Sequence, residues 1–504
     1  MYLIGYDIGS SSIKAALVAI DSGATLKVAQ FPSSEMDIIA KQPGWAEQKP
    51  EVWWDNVCAA TKQLVDSTGV NPSDVKGIGI AYQMHGLVLV DKDQQVLRPS
   101  IIWCDSRAVE IGEKAFQEMG QQQCLKHLLN SPGNFTASKL KWVKENEPGV
   151  YARIDKMMLP GDYIAMKLTG KICTTPSGLS EGILWDFQEN APSANLLNYY
   201  GIHPSFIPTI VPTCSLQGTI SAKAAEATGL VEGIPVAYRA GDQPNNALAL
   251  NVLEPGEIAA TGGTSGVVYG VIDKPVYDEA SRVNGFAHVN YTSDDPKIGV
   301  LLCINGAGIQ YSWLKQQMAT EQISYSDMEQ MANSVPVGSE GLRILPFGNG
   351  AERMLSNVNP GAQINNLQFN RHNSEHFYRA GLEGIAFSFV YGIQVLKDMG
   401  FQIGNMRVGN DNLFQSEVFS KTIANLVGCA ITVVETTGAA GAAKAAGLKT
   451  GFYTTLKEAI GASGEVMTYE PSKSEEHEQA YQVWRSDLEK LIGTQNTGQD
   501  VAVS

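Results

Sequence analysis

Leu3-Ile4-Gly5-Tyr6-Asp7-Ile8-Gly9-Ser10-Ser11-Ser12-Ile13 and Glu257-Ile258-Ala259-Ala260-Thr261-Gly262-Gly263-Thr264-Ser265-Gly266-Val267 superimpose as two versions of one pattern. In each, an apolar run enters a Gly and Ser/Thr tip and turns straight back into another apolar run, a strand–turn–strand signal repeated at the start of each half. The chain has 504 residues, too long for one domain at the usual ~100–200 residues each. The repeat therefore points to two related halves.

Outward from the first copy, Leu3–Ile8, Ile13–Ile20 and Val28–Phe31 predict a β-meander. Pro50 then opens a helix with Trp53, Val57, Ala60 and Leu64 on one face and Gly69 after its end. Strand signals follow at Val75–Ala81, Leu87–Val90, Ile101–Trp103 and Val236–Tyr238, with helices from about Arg107 and around Leu140–Val143. Around the second copy come strands Ile258–Ala260, Val267–Ile272, Met406–Val408 and Ala430–Val434. Their helices carry the stripe Leu382, Ile385, Phe389, Ile393, Leu396, the run Phe414–Val427, and an Ala/Gly-rich stretch to Gly447. Mixed α/β structure is predicted in both halves, divided as residues 1–250 and 251–487, with a disordered polar tail over 488–504.

Lys and Arg number 37 against 52 Asp and Glu, a net charge of −15. That argues against nucleic acid or an anionic membrane as the main partner and leaves a small molecule. Cys58, Cys104, Cys124, Cys173, Cys214, Cys303 and Cys429 form no C-x-x-C pair, which predicts a reducing compartment and buried apolar fillers. Met1–Ser10 lacks a basic leader pattern, and no run of about 18 apolar residues follows, so a cytoplasmic protein is expected.

The chemistry gathers at strand ends. A Gly/Ser/Thr hairpin tip is either a plain turn or a nest of N–H groups for phosphate, and two of them could clamp a polyphosphate. Rival devices are missing: Gly170-Lys171 is followed by Ile172, so there is no G-x-x-x-x-G-K-[ST], and no G-x-G-x-x-G follows a strand. Asp7 lies in an apolar run, where it either faces solvent or points into the cleft to hold Mg²⁺. Asp242, in Gly241-Asp242-Gln243-Pro244-Asn245-Asn246, reads as a helix N-cap, and a charged carboxylate there also suits a general base. Gln83-Met84-His85-Gly86 and Trp103-Cys104-Asp105-Ser106-Arg107 offer an apolar face, an amide and charges, the mixture a polyol needs. His372 and His376 lack the H-E-x-x-H order of a zinc site and are expected on a surface turn.

Taken in order over roughly residues 1–485, these motifs resemble the FGGY family of carbohydrate kinases: Asp7 to Lys14, Gln83 to Gly86, Trp103 to Arg107, Gly241-Asp242, Gly263 to Gly266, Gly306 to Gln310 and Leu382 to Ala386. The resemblance implies two actin/ribonuclease-H-like domains with Mg·ATP between them and a sugar deep on the first. It implies that Asp242 is the general base and that Asp7 serves the metal. Met84 and His85, with Gln83, Trp103, Asp105 and Gln243, would form the sugar site. Gly9, Ser10, Ser11, Lys14, Gly263, Thr264, Gly306, Gln310, Gly409 and Asn410 would contact the nucleotide. The implied reaction is phosphorylation of a small ketose, D-xylulose to its 5-phosphate, with ATP and Mg²⁺. The alternatives are another polyol or ketose such as glycerol or ribulose, and a non-catalytic actin-like ATP-binding protein. Sugar and ATP would be the partners, and a homodimer is compatible with this reading. Two positions depart from the family pattern: Gln243 stands where Asn is usual, and Gly409-Asn410-Asp411-Asn412 stands where several glycines are.

Overall fold

The computed structural model describes residues 1–319, 323–461 and 464–499. Tyr2–Ile8 (β1) and Ile13–Ala19 (β2) form an antiparallel hairpin that sets Asp7 opposite Lys14. Thr25–Phe31 (β3) pairs outside β2. Helix Pro50–Thr68 (α1) buries Trp53, Val57, Ala60 and Leu64, the face anticipated from their spacing, and stops where Gly69 takes a left-handed conformation. The chain then returns through Val75–Tyr82 (β4), parallel to β1. Cys214–Thr219 (β5) and Pro235–Gly241 (β6) complete the sheet, β6 lying parallel to β4, in the order β5-β6-β4-β1-β2-β3.

The second half repeats the plan. Glu257–Gly262 (β7) and Gly266–Ile272 (β8) form the hairpin, preceded by helix Asp242–Ala249 (α3) and, earlier in the chain, the short helix Pro176–Glu181 (α2). Asn284–Ala287 (β9) and Ile298–Ile304 (β10) lie outside β8. Asn405–Gly409 (β11) is parallel to β7, Ile431–Val434 (β12) is parallel to β11, and Glu465–Tyr469 (β13) closes the edge antiparallel. The order β9-β10-β8-β7-β11-β12-β13 matches the first sheet apart from the added β9. The sequence echo thus marks the central hairpin of two equivalent sheets.

Ser374–Asp398 (α4) and Glu417–Val427 (α5) pack on the second sheet's side of the molecule, and Gly438–Lys449 (α6) crosses to the first, covering β1, β2, β4 and β6. A cut at residue 250 leaves the strands of each sheet on one side of it but divides the packing: the first sheet takes one of its covering helices from the second half. Small side chains make this approach possible. A Cβ on Gly5 would sit 1.9 Å from the Ala439 carbonyl, and one on Gly79 1.9 Å from that of Ala442.

Several expectations are corrected. Helix Glu475–Gln499 (α7) runs through most of the expected 488–504 tail, because Trp484 and Leu488 are fully buried and the Trp484 indole donates to the Ile344 carbonyl at 2.9 Å. Residues 500–504 lie outside the described residues. The run from Phe414 begins as a 3₁₀ turn, Asn412–Gln415, and α5 starts only after Ser416, whose hydroxyl caps the Phe419 N–H. Of Ile101–Trp103 only Ile101 is in a strand, the two-residue Ser100–Ile101, and Trp103 turns out to solvent. Cys104 and Cys303 are exposed and Cys58 and Cys214 half-buried, so only Cys124, Cys173 and Cys429 are the buried fillers expected. No helix among the described residues is long and apolar enough to cross a membrane.

Candidate active site

The carboxyl ends of β1, β4 and β6 lie side by side, Ile8 and Gly241 both opposite Tyr82, so Asp7 and Asp242 emerge at one edge of the sheet. Asp242 is the first residue of α3 and not the N-cap expected from the sequence: Gly241 takes that place, and no side chain caps the helix, which leaves the Asp242 carboxylate beside the first turn. Opposite them is the start of α6: a Cβ on Gly438 would lie 2.8 Å from Asp7 Oδ2 and 3.1 Å from Asn246 Oδ1. Asn245 Nδ2 donates to the Gly438 carbonyl at 2.9 Å. The amide-rich run after Asp242 thus pins two helices together and brings an uncharged oxygen beside Asp7.

Burial and the neighbouring Asp7 push the Asp242 carboxyl up to about 7, partly offset by the Gln243 amides. Asp7 is also raised by burial, with Lys14 opposing. Two carboxylates that disfavour one another's charge, with an amide oxygen nearby, form a donor set that fits a hard divalent cation. No group of three or more His, Cys, Asp and Glu among the described residues could hold a metal, so such a cation would keep water or substrate oxygens in its shell.

Beyond the end of β4, Gln83, Met84 and His85 build a wall. The Gln83 N–H donates to the Ile8 carbonyl at 2.8 Å. Gln48 connects this wall to the first hairpin tip, accepting from Gln83 Nε2 at 3.5 Å and donating to the Ser10 carbonyl at 2.7 Å. Trp103 Nε1 donates to Ser10 Oγ at 3.2 Å, with its ring exposed over the tip. Met84 packs against Gly241, where a Cβ would come 2.6 Å from its Cγ. Asp105 is fully buried, both carboxylate oxygens engaged by Arg107 and one also by the Ala46 N–H, so it organises this loop from beneath.

His85 has a left-handed backbone, φ 64°, held by two charged residues that the sequence reading passed over. Glu181, at the end of α2 and 1% exposed, accepts the His85 N–H on Oε2 at 3.1 Å, and its carbonyl accepts His85 Nδ1 at 2.9 Å. Lys139, fully buried in helix Thr136–Asn146, donates from Nζ to the carbonyls of His85 and Ile102, each at 2.9 Å. Burial pulls the His85 imidazole down to about 3 and the Lys139 amine down to about 7. Nothing in local sequence distinguishes this lysine from those on an exposed helix face. Lys139→Met is expected to take from the buried His85 carbonyl its Nζ donor and to leave the Ile102 carbonyl with only the Asp105 N–H, a cost of about 1–3 kcal/mol. Chemical denaturation of the variant beside the wild type should show that loss as a lower midpoint.

The second hairpin tip borders a cleft of about 560 Å³ lined by Gly263, Thr264, Gly308, Tyr311, Asn412 and Ser416, among others. Gly308 N–H donates to the Gly263 carbonyl at 3.0 Å, and a Cβ on Gly308 would reach 2.4 Å from that oxygen. Gly306 lies behind, its N–H on Glu352 Oε1 at 2.9 Å, and the buried Gln310 amide has no hydrogen-bond partner among the described residues. Gly409 and Asn410 shape the next loop without lining the cleft: Asn410 donates to the Val434 carbonyl and to Glu435. Asn412, Leu413, Gln415 and Ser416 line it instead. In the first tip, the Gly9 N–H closes on the Ser12 carbonyl, the Ser11 carbonyl accepts the Met36 N–H, and Lys14 is exposed.

Residues 2–249 match the N-terminal domain, and residues 258–449 the C-terminal domain, of the FGGY family of carbohydrate kinases; the chain belongs to this family and is a carbohydrate kinase with the two-domain actin/ribonuclease-H-like fold. It is 29% identical over 469 residues to the xylulose kinase of Bacillus subtilis, covering 91% of this chain and 90% of the relative. It is also 29% identical over 467 residues to the L-xylulose/3-keto-L-gulonate kinase of Escherichia coli, covering 91% and 90%. The crystal structure of the xylulose kinase from Rhodospirillum rubrum superimposes with a TM-score of 0.88 at 26% identity, over 98% of this chain and 99% of that one.

Proposed function

We propose that the chain transfers the γ-phosphoryl group of ATP to the terminal hydroxyl of a small ketose, with D-xylulose forming D-xylulose 5-phosphate. The observation that carries the reading is Asp242 at the head of α3, between the His85 wall and the carboxylate of Asp7, held by burial near the pKa a general base needs at neutral pH. Asp242 takes the hydroxyl proton as that oxygen attacks phosphorus in line. The tips at Gly9, Ser10 and Ser11 and at Gly263 and Thr264 orient the polyphosphate, and the cleft lined by Tyr311 and Asn412 takes the base. Mg²⁺, held through Asp7, would neutralise charge on the phosphoryl oxygens. Met84, His85, Gln83, Trp103 and Gln243 make the sugar side, with Asp105 supporting the Trp103 loop from below.

A second reading, another ketose or a keto-sugar acid, is favoured by Gln243 beside the base and by the Escherichia coli relative at the same identity. Coupled ADP release over a panel of D-xylulose, L-xylulose, ribulose, glycerol and 3-keto-L-gulonate separates the two. Sugar-independent ATP turnover with no phosphorylated product would overturn both.

The pH dependence follows from the site. A raised carboxyl is protonated, and useless as a base, below its pKa, so kcat/KM for the sugar is expected to fall with acidification below about pH 7. Asp7→Asn removes a charge that raises Asp242, so in metal-free protein the Asp242 carboxyl, followed by ¹³C NMR, should titrate at lower pH than in the wild type. A titration that stays fixed or moves up would show that Asp7 does not act on Asp242.

A further inference from the structure

Strand β9 belongs to the second sheet, where it pairs with β10, yet its other edge is occupied by the first half. The Ala287 N–H donates to Ser180 Oγ, and the Ala287 carbonyl accepts from Ser177 Oγ, both at 2.9 Å. Gly285 donates to Asn130 Oδ1 at 3.2 Å and accepts from Asn130 Nδ2 at 2.7 Å, so a fully buried carboxamide stands in for a neighbouring strand. Asn284 adds a bond to Asn130 Oδ1 at 2.9 Å and is itself anchored by Arg353 Nη1 at 2.7 Å. Ser177 and Ser180 sit on α2, the helix that ends at Glu181. The serines that dock Ala287 and the group that holds His85 therefore lie on one element.

Between Gly285 and Ala287, Phe286 is fully buried, its ring 5.7 Å from the His85 ring and 6.4 Å from that of Phe135, which meets His85 edge-on at 4.7 Å. A carbonyl only accepts, so the contact to Glu181 O assigns the imidazole proton to Nδ1 and leaves Nε2 as a bare acceptor. His85 is thus enclosed by one aromatic ring from each half.

We propose that Phe286 is a positioning residue for the sugar site: packed against the ring, it keeps His85 in the orientation in which Nδ1 donates to the Glu181 carbonyl and Nε2 is offered to a substrate hydroxyl. The second half thereby helps to shape a site otherwise built by the first. Docking of β9 and sugar affinity are then coupled, and because coupling is reciprocal, bound sugar strengthens the dock. The hydroxyl's identity rests on the ketose-kinase reading, while the hold on the ring does not.

The test uses the full chain with Phe286→Leu, which fills the space without a ring, and Phe401→Leu, a buried control elsewhere in the second half. Steady-state kinetics on the ketose the wild type uses best should show sugar KM raised about five- to twentyfold for Phe286→Leu, ATP KM within about twofold, and neither changed in the control. Histidine side-chain ¹⁵N NMR, with His85 assigned by substitution, should show one Nδ1-protonated tautomer in the wild type and a mixture in Phe286→Leu. An unchanged sugar KM with an unchanged His85 signal overturns the proposal, as does an equal KM rise in the control. If the wild type phosphorylates no ketose, the functional reading fails, and the NMR result alone decides whether Phe286 positions the ring.

Discussion

Asp242→Asn is expected to lower kcat for sugar phosphorylation by about 10²–10⁴, the usual worth of a positioned general base, while ATP affinity changes by less than about threefold. The substitution keeps the size of the side chain at the head of α3 and removes its ability to take a proton. Stability should move the other way. A carboxyl raised in the folded state supports folding below its unfolded pKa of ~4 and loses that support as pH climbs through about 7, so ionised Asp242 weighs against folding in the working range. Asp242→Asn should therefore melt about 1–3 °C above the wild type at pH 8, the figure kept small because the side chain is only half-buried. The advantage should vanish near pH 4. A dead variant that melts lower at pH 8 would show that the ionised carboxylate supports the fold instead, and kcat within a few-fold of wild type would remove Asp242 from the chemistry.

Gly79→Val is expected to prevent accumulation of folded protein, and Gly79→Ala to cost about 3 kcal/mol or more. The conflict is with backbone, which cannot rotate away: the first added carbon would stand 1.9 Å from the Ala442 carbonyl oxygen and 2.6 Å from its carbon. Relief requires α6 to lift off β4. Because α6 begins at Gly438, directly against Asp7, the metal role proposed for Asp7 predicts that any Gly79→Ala protein that folds binds the metal less tightly, read as a higher Mg²⁺ concentration for half-maximal rate. Gly149→Ala, where a Cβ meets nothing within 4 Å, is the matched control and should behave as wild type.

The central strands were legible because strands buried on both faces must be nearly continuous apolar runs, and Leu3–Ile8 and Ile258–Ala260 are. Their shared Gly and Ser/Thr tip revealed the duplication. What the sequence could not show was which surface the Ala/Gly-rich helix after Thr437 would occupy, since its small residues meet their counterparts at Gly5 and Gly79 only in three dimensions. Asp7 and Asp242 stood out because a carboxylate in or beside an apolar strand demands an explanation. Glu181 and Lys139 did not, since a charged residue on a helix is ordinarily solvated and only tertiary packing buries these two. The 488–499 helix was missed because its burial depends on a few residues, Trp484 and Leu488 foremost, within a largely polar run. The cleft-lining Asn412 and Ser416 were missed because the family resemblance drew attention to Gly409 and Asn410, two residues upstream of the turn that reaches the opening.

The seat of α6 on the first sheet also sets a timetable for the chain as it leaves the ribosome. β1, β4 and β6 are complete once Gly241 is made, but the groove over Gly5 and Gly79 stays uncovered until Lys449 has emerged. At elongation rates of ~5–20 residues per second, that interval is on the order of ten seconds or more. For that time the nascent first half carries an apolar face shaped for backbone contact, and its final closure belongs to the late stages of synthesis.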